Sequence, residues 1–291
     1  MVGTNTQVIE AKRRSWDIFS GVSRGRLPDD ARIHTSAPVA GLVGDAAVNR
    51  EITGPLHDAI LDARWHPDLF LAGEHDDQVW VAHTGTIRGV FINPLWGIPA
   101  SGRAAEIRYG EFTRTQDGQV IELRVMADLP GLAAQSGWHL FGDGSVTPSP
   151  SPSRARYDPW ATTPDPAETA ATATLLGELL ADPGAASLFA PDHTWHGCHG
   201  VLQGVGRAPH DERAIVPGVT DLSTAPTDGA VVIADGLHGA ICDWPTDGDA
   251  SAVRTMRFLD RREDQFVRSW VLVDLIDAAA RRGVRLLERG L

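Results

Sequence analysis

Only two cysteines, Cys198 and Cys242, occur in 291 residues. Two cannot build a disulfide framework, and neither lies in a CxxC pair, so both read as small buried hydrophobes. No apolar run approaches the roughly 20 residues that a bilayer-spanning helix needs, which excludes a membrane span. The opening residues, Met1 to Gln7, lack the basic-then-apolar order of a signal peptide, and the protein is expected in the cytoplasm. Runs of Lys and Arg are missing too, and the formal net charge is −12. Such a chain repels a phosphate backbone and an anionic leaflet alike, so nucleic acid and membrane surfaces are excluded and a small molecule is the expected partner. No P-loop or Gly-rich dinucleotide fingerprint is present, and no cofactor is expected. One GxSxG match, Gly21-Val22-Ser23-Arg24-Gly25, follows a helix rather than the strand of a nucleophile elbow and reads as a helix stop. The run His193-Thr194-Trp195-His196-Gly197-Cys198-His199 holds metal-ligand types. On a strand, however, His193 and His199 face one way and His196 and Cys198 the other, so no metal is expected.

What is there is an ordinary globular composition, 42% hydrophobic and 22% charged, in a chain long enough for two domains of roughly 130 residues. Pro148, Pro150, Pro152, Pro159 and Pro164 sit among Ser, Thr and Gly, a composition that builds no core and favours extended chain. This predicts a first domain over 1–141, a linker over 142–165 and a second domain over 166–291. Asp165-Pro166-Ala167-Glu168 offers an N-cap, a first-turn proline and a capping-box carboxylate. Leu175, Leu176, Leu179 and Leu180 follow at helical spacing until Asp182-Pro183-Gly184. Val8, Ala11, Ser15, Ile18 and Phe19 likewise share one helical face near the start of the first domain.

The segments Asp128 to Gly137 and Asp274 to Gly283 share Asp, Leu, Ala, Ala and Gly at a constant offset of 146, that is 274 less 128. Five matches in register favour a duplication. Before each comes strand, charged turn and strand, with turns at Gln116-Asp117-Gly118 and Arg262-Glu263-Asp264. His34 and His196 hold similar places on a first strand of each copy. The halves are expected to superpose and to pack sheet to sheet as an intrachain pseudo-dimer, because an antiparallel sheet needs its second face covered or polar.

The first domain also carries a strand Gln78 to His83, the run Thr84-Gly85-Thr86-Ile87-Arg88-Gly89, a loop closing with Ile98-Pro99-Ala100-Ser101-Gly102-Arg103, and a strand with Tyr109, Glu111 and Phe112. Asp117-Gly118-Gln119-Val120-Ile121-Glu122 and Asp128 complete the order. It resembles the SnoaL-like polyketide cyclase family, whose pattern is a Gly-Thr-His-x-Gly turn, a Pro-x-Thr-Gly-Arg loop and an Asp-Gly-Lys-Ile-x-Glu-x-Trp strand ending in Asp. The resemblance implies an α+β fold of the nuclear transport factor 2-like kind in each half, a curved antiparallel sheet with helices closing a cone around a pocket. The pattern's Trp is Arg124 here, and its turn His is Ile87. The second domain keeps Trp270 and Asp274 but has Arg268 at the Glu position, and its turn has shrunk to Gly236-Leu237-His238-Gly239.

Strand alternation puts Val120, Glu122, Arg124, Met126 and Asp128 on one face, with Glu122 the expected partner of Arg124. If that face is concave, Asp128 lies deep in the pocket beside Met126, where burial raises a carboxyl toward general-base range. The resemblance implies that this aspartate is the acid/base of a cofactor-free aldol closure. A helix N-cap is the alternative for Asp128 and for Asp274. His34 and His83 are candidate donors or proton relays, with a satisfied structural histidine as the alternative. Trp16, Trp80 and Trp270 suit a flat aromatic ligand as well as a core. Tyr109, Glu111, Glu122, Arg124, Met126, His196 and Asp274 complete the expected ligand-binding set. The expected function is a cyclase, isomerase or dehydratase acting on a carbonyl-bearing, largely apolar molecule. The alternative is a non-catalytic binding or pairing protein of the same fold.

Overall fold

The computed structural model describes residues 5–19, 27–39, 41–140, 164–197, 203–205, 229–245 and 253–288. The stretch 142–165, apart from its last two residues, lies outside these, as do the GxSxG match, Cys198 and His199. The first half runs α1 (Asn5–Phe19), β1 (Arg32–Thr35), β2 (Leu42–Val43), α2 (Asp45–Val48), a π-helical turn (Asn49–Thr53), α3 (Gly54–Ala59), β3 (Ile60–His75), β4 (Gln78–Phe91), β5 (Ala104–Gln116), β6 (Gln119–Ala127) and α4 (Leu129–Gln135). The second runs α5 (Pro166–Ala181), β7 (Phe189–Gly197), β8 (Gln203–Val205), β9 (Val231–Asp235), β10 (His238–Asp243), β11 (Thr255–Arg262), β12 (Gln265–Val273) and α6 (Leu275–Arg281).

Two six-stranded sheets result, ordered β2-β1-β6-β5-β4-β3 and β8-β7-β12-β11-β10-β9. One topology is thus written twice. In each, the first long-range pairing joins the opening strand to the last in parallel, β1 to β6 and β7 to β12, while the other neighbours are antiparallel. The sheets are therefore mixed. Asp76-Asp77 and Asp117-Gly118 both adopt left-handed φ, the two-residue hairpin geometry that matches strand twist. Strand β4 runs unbroken through Thr84 to Gly89, where the family pattern has a turn. Asp165 caps α5 through the Ala167 N–H as expected, but Glu168 leaves the capping box and pairs with Arg261 of β11.

Each sheet has a helix-covered face and a face turned to the other half. In the first half, α1 covers β3 and β4, with Ala11, Phe70, Ala72 and Val81 forming one cluster. On the opposite face Trp80, Ala82, Phe112 and Met126 merge with Cys242, Met256, Phe258 and Leu272 into a core shared by both halves. Phe112, Met126 and Phe258 are fully buried there, each worth roughly 1.5–3 kcal/mol relative to exposure. Phe112 meets Phe258 at a ring separation of 5.6 Å. These two are counterparts at the repeat offset (258 less 112 is 146), so the contact lies close to a pseudo-two-fold axis.

Candidate functional site

His83, on β4, projects from the helix-covered face and is fully buried. Its cross-strand partner is Glu111 of β5, and Nε2 comes within 3.1 Å of Oε1, an ion-pair distance that is not aligned as a hydrogen bond. Phe70 stacks on the imidazole at 5.1 Å and Tyr109 meets it edge-on at 5.6 Å. The Thr113 hydroxyl donates to Glu111 at 3.0 Å. Burial, reinforced by Glu111, holds the Tyr109 phenol far above its ordinary pKa, so it stays a proton donor. Trp16 of α1 packs edge-on against Phe70 at 5.6 Å. Period-two alternation produces this grouping, since His83, Glu111 and Tyr109 fall on one face of paired strands.

Asp128 is a helix cap. Its Oδ1 accepts the Gly131 N–H at 2.9 Å. Asp274 does the same for α6 through the Asp277 N–H at 3.1 Å, and its second oxygen accepts the Ala37 N–H of the first half, also at 3.1 Å. Burial pushes the Asp274 carboxyl up to about 6, against the hydrogen bonds from Asp277 and Ala37.

The face of Glu122, Arg124 and Met126 turns to the other half, not to α1, so these three and His83 lie on opposite sides of the sheet. Val120 does not share that face. An extra residue in β6, Ile121, lets Thr115 pair with Val120 while Arg114 pairs with Glu122, and Val120 joins Ile33 and Leu123 instead. His34 registers with Arg124 across β1 and β6, and its Nε2 lies 3.8 Å from Glu122, so it is not brought to His83 either. Arg124 does pair with Glu122, at 2.8 Å, and its guanidinium lies over Trp80. Burial, partly offset by Arg124, pushes the Cys242 thiol up to about 12 and makes it inert.

Between the halves a cavity of about 10 Å³, the space of one water, is lined by Asp68, Thr86, Arg108, His196 and Trp270 among others. His196 stacks on Trp270 at 5.5 Å, and Arg108 donates to the Gly197 carbonyl at 2.7 Å. Burial raises the Asp68 carboxyl to about 6 and lowers His196 to about 4. Asp68 is the extra residue of a bulge, since Pro67 pairs with Gly85 and Leu69 with Thr84. Sequence reading missed it; the one available signal was a proline inside a strand, which marks bulges and edges. An open groove of about 490 Å³ lies elsewhere, on the first half, lined by Pro38, Val39, Leu42, Glu51 and Trp96. Among the described residues no three His, Cys, Asp or Glu side chains converge on a metal site, and no helix is long and apolar enough to cross a membrane.

The repeated order of strands and helices defines a tandem pair of α+β units, each a mixed six-stranded sheet with helices packed against it. No family model and no curated protein matches the sequence. Similar solved structures include a provisionally assigned SnoaL-like polyketide cyclase from Jannaschia, 18% identical, TM-score 0.36, matched over 45% of this chain and 93% of that one. Another is IdmH, provisionally a polyketide cyclase, from Streptomyces antibioticus, 19% identical, TM-score 0.36, with 46% and 99% covered. A third is a nuclear transport factor 2-like protein from Burkholderia thailandensis, 14% identical, TM-score 0.35, with 43% and 95% covered.

Proposed function

We propose that the first half is a small-molecule site working by cofactor-free general acid/base chemistry on a carbonyl-bearing, largely apolar molecule, as a cyclase or isomerase does. The observation behind this reading is His83, a fully buried imidazole set beside the Glu111 carboxylate and between two aromatic rings. In this role His83 takes a proton next to the carbonyl, Glu111 orients the ring and stabilises the imidazolium, and the Tyr109 phenol donates to the developing enolate oxygen. Asp128, engaged at its cap, holds α4, whose Leu129 and Leu132 pack with Tyr109. In this reading α1, whose Trp16 packs on the Phe70 that stacks on His83, is the element that would move to admit the molecule.

The test is proton exchange at the carbon next to the carbonyl of 2-tetralone, an apolar ring ketone, followed by NMR in deuterated buffer. The wild-type chain should accelerate exchange over buffer, and His83→Gln or Glu111→Gln should each lower the acceleration by roughly 10²-fold. No acceleration by the wild type across a set of ring ketones would overturn the catalytic reading. For the second half a pairing role is favoured, because strand register sets Ile241 and Arg257 where His83 and Glu111 stand.

A further inference from the structure

Lys12 is the sole lysine of the chain. It lies on α1, is almost fully buried, and forms an ion pair with Asp235 at the end of β9, in the other half. The same Asp235 oxygen accepts the Ala72 N–H of β3 at 2.9 Å. Asp235 is itself fixed from behind: Gly236, the next residue, donates to Thr169 and accepts from Thr172, both on α5. One turn along α1 from Lys12, on the same side of the helix, Trp16 presses on Phe70, and Phe70 stacks on His83. A continuous set of packed groups therefore runs from α5 and β9 of one half to the imidazole of the other. Every other cation of the chain is an arginine, whose wide fork needs several acceptors; a lysine presents one compact charge to one carboxylate in a narrow gap.

We propose that the second half acts as a latch on the first: Asp235 grips Lys12 and so holds α1 closed over His83, and Lys12 and Asp235 are positioning residues for that site. The proposal rests on the acid/base reading only for what the closed helix protects; the latch itself is a matter of α1 and Asp235. When the pair parts, Lys12 and Trp16 leave together, because both are carried on one rigid helix, and Phe70 loses the ring that pins it against His83.

A lone lysine makes the latch directly measurable. Reductive methylation with formaldehyde and a borane, read by mass spectrometry at Lys12, is run on the whole folded chain with Nα-acetyl-lysine amide added as an internal reference. Lys12 should react about 10²-fold more slowly than the reference, since reaction requires local opening. Asp235→Asn should raise the Lys12 rate at least about tenfold and shift the His83 imidazole resonances, with Asp235→Glu restoring both toward wild type. A wild-type rate equal to the reference overturns the latch and needs no variant. Faster Lys12 labelling with unmoved His83 resonances overturns its coupling to the site. Failure of the ketone-exchange assay alone, with these readouts as expected, would instead remove the acid/base reading and leave the latch standing.

Discussion

Asp68 owes its environment to one extra residue in β3, which turns its carboxyl into the gap between the halves. Burial there favours the neutral acid and raises it to about 6, against Arg108, the main opposing charge. The unfolded value is about 3.9, so the stabilising contribution of this group is complete below that pH and is lost as pH rises through 6. Asp68→Asn, which cannot ionise, should escape that loss. Thermal unfolding across pH 4 to 8 should show the variant gaining on wild type as pH rises through about 6, and a flat difference would refute the assignment. His193 and His196, both lowered to about 4 by burial, work in the other sense: their contribution is present above about 6.5 and lost as pH falls through 4.

Strand-level geometry explains both what the sequence disclosed and what it hid. Helix starts were legible from Asp165-Pro166 and from the α1 periodicity, and hairpins from Asp117-Gly118, because caps and left-handed turns are decided by a few adjacent residues. The duplication was legible because equal folds keep equal spacing. Bulges were not, since an unpaired residue such as Asp68 or Ile121 is defined only by the partner strand. Alternation placed Glu122, Arg124 and Met126 correctly together, yet a single strand does not say which face a helix covers. His83 and Glu111 were both singled out without their pairing, for the same reason. The Asp68 bulge also makes a prediction. Gly85 lies so close to β3 that a Cβ would meet the His66 carbonyl oxygen at 2.2 Å, with backbone on every near side. Gly85→Ala should therefore cost about 3 kcal/mol or more, read as a large fall in melting temperature; an unchanged midpoint would show that β3 can move away.

At the level of the whole molecule, the shared core makes the halves depend on one another, and its tightest point is Gly110. A Cβ there would meet Leu272 at 2.8 Å, Phe258 at 2.9 Å and the Met256 sulfur at 3.1 Å, all from the second half. Gly110→Ala should destabilise by about 1–3 kcal/mol through overpacking, measured by denaturant midpoint, and a gain in stability would mean the seam is looser than drawn.

Gly110 and Met256 are counterparts, 146 positions apart, and they touch across the pseudo-two-fold axis. In a dimer of identical chains a residue beside the axis faces its own copy, so glycine would face glycine across a void and methionine would crowd methionine. Joining the copies in one chain lifts that rule of sameness. One half has become the socket and the other the plug, and the two are no longer interchangeable parts. A chain carrying two first halves would inherit the void, and one carrying two second halves the collision, so the heterogeneity of the pair commits each half to the other rather than to a copy of itself.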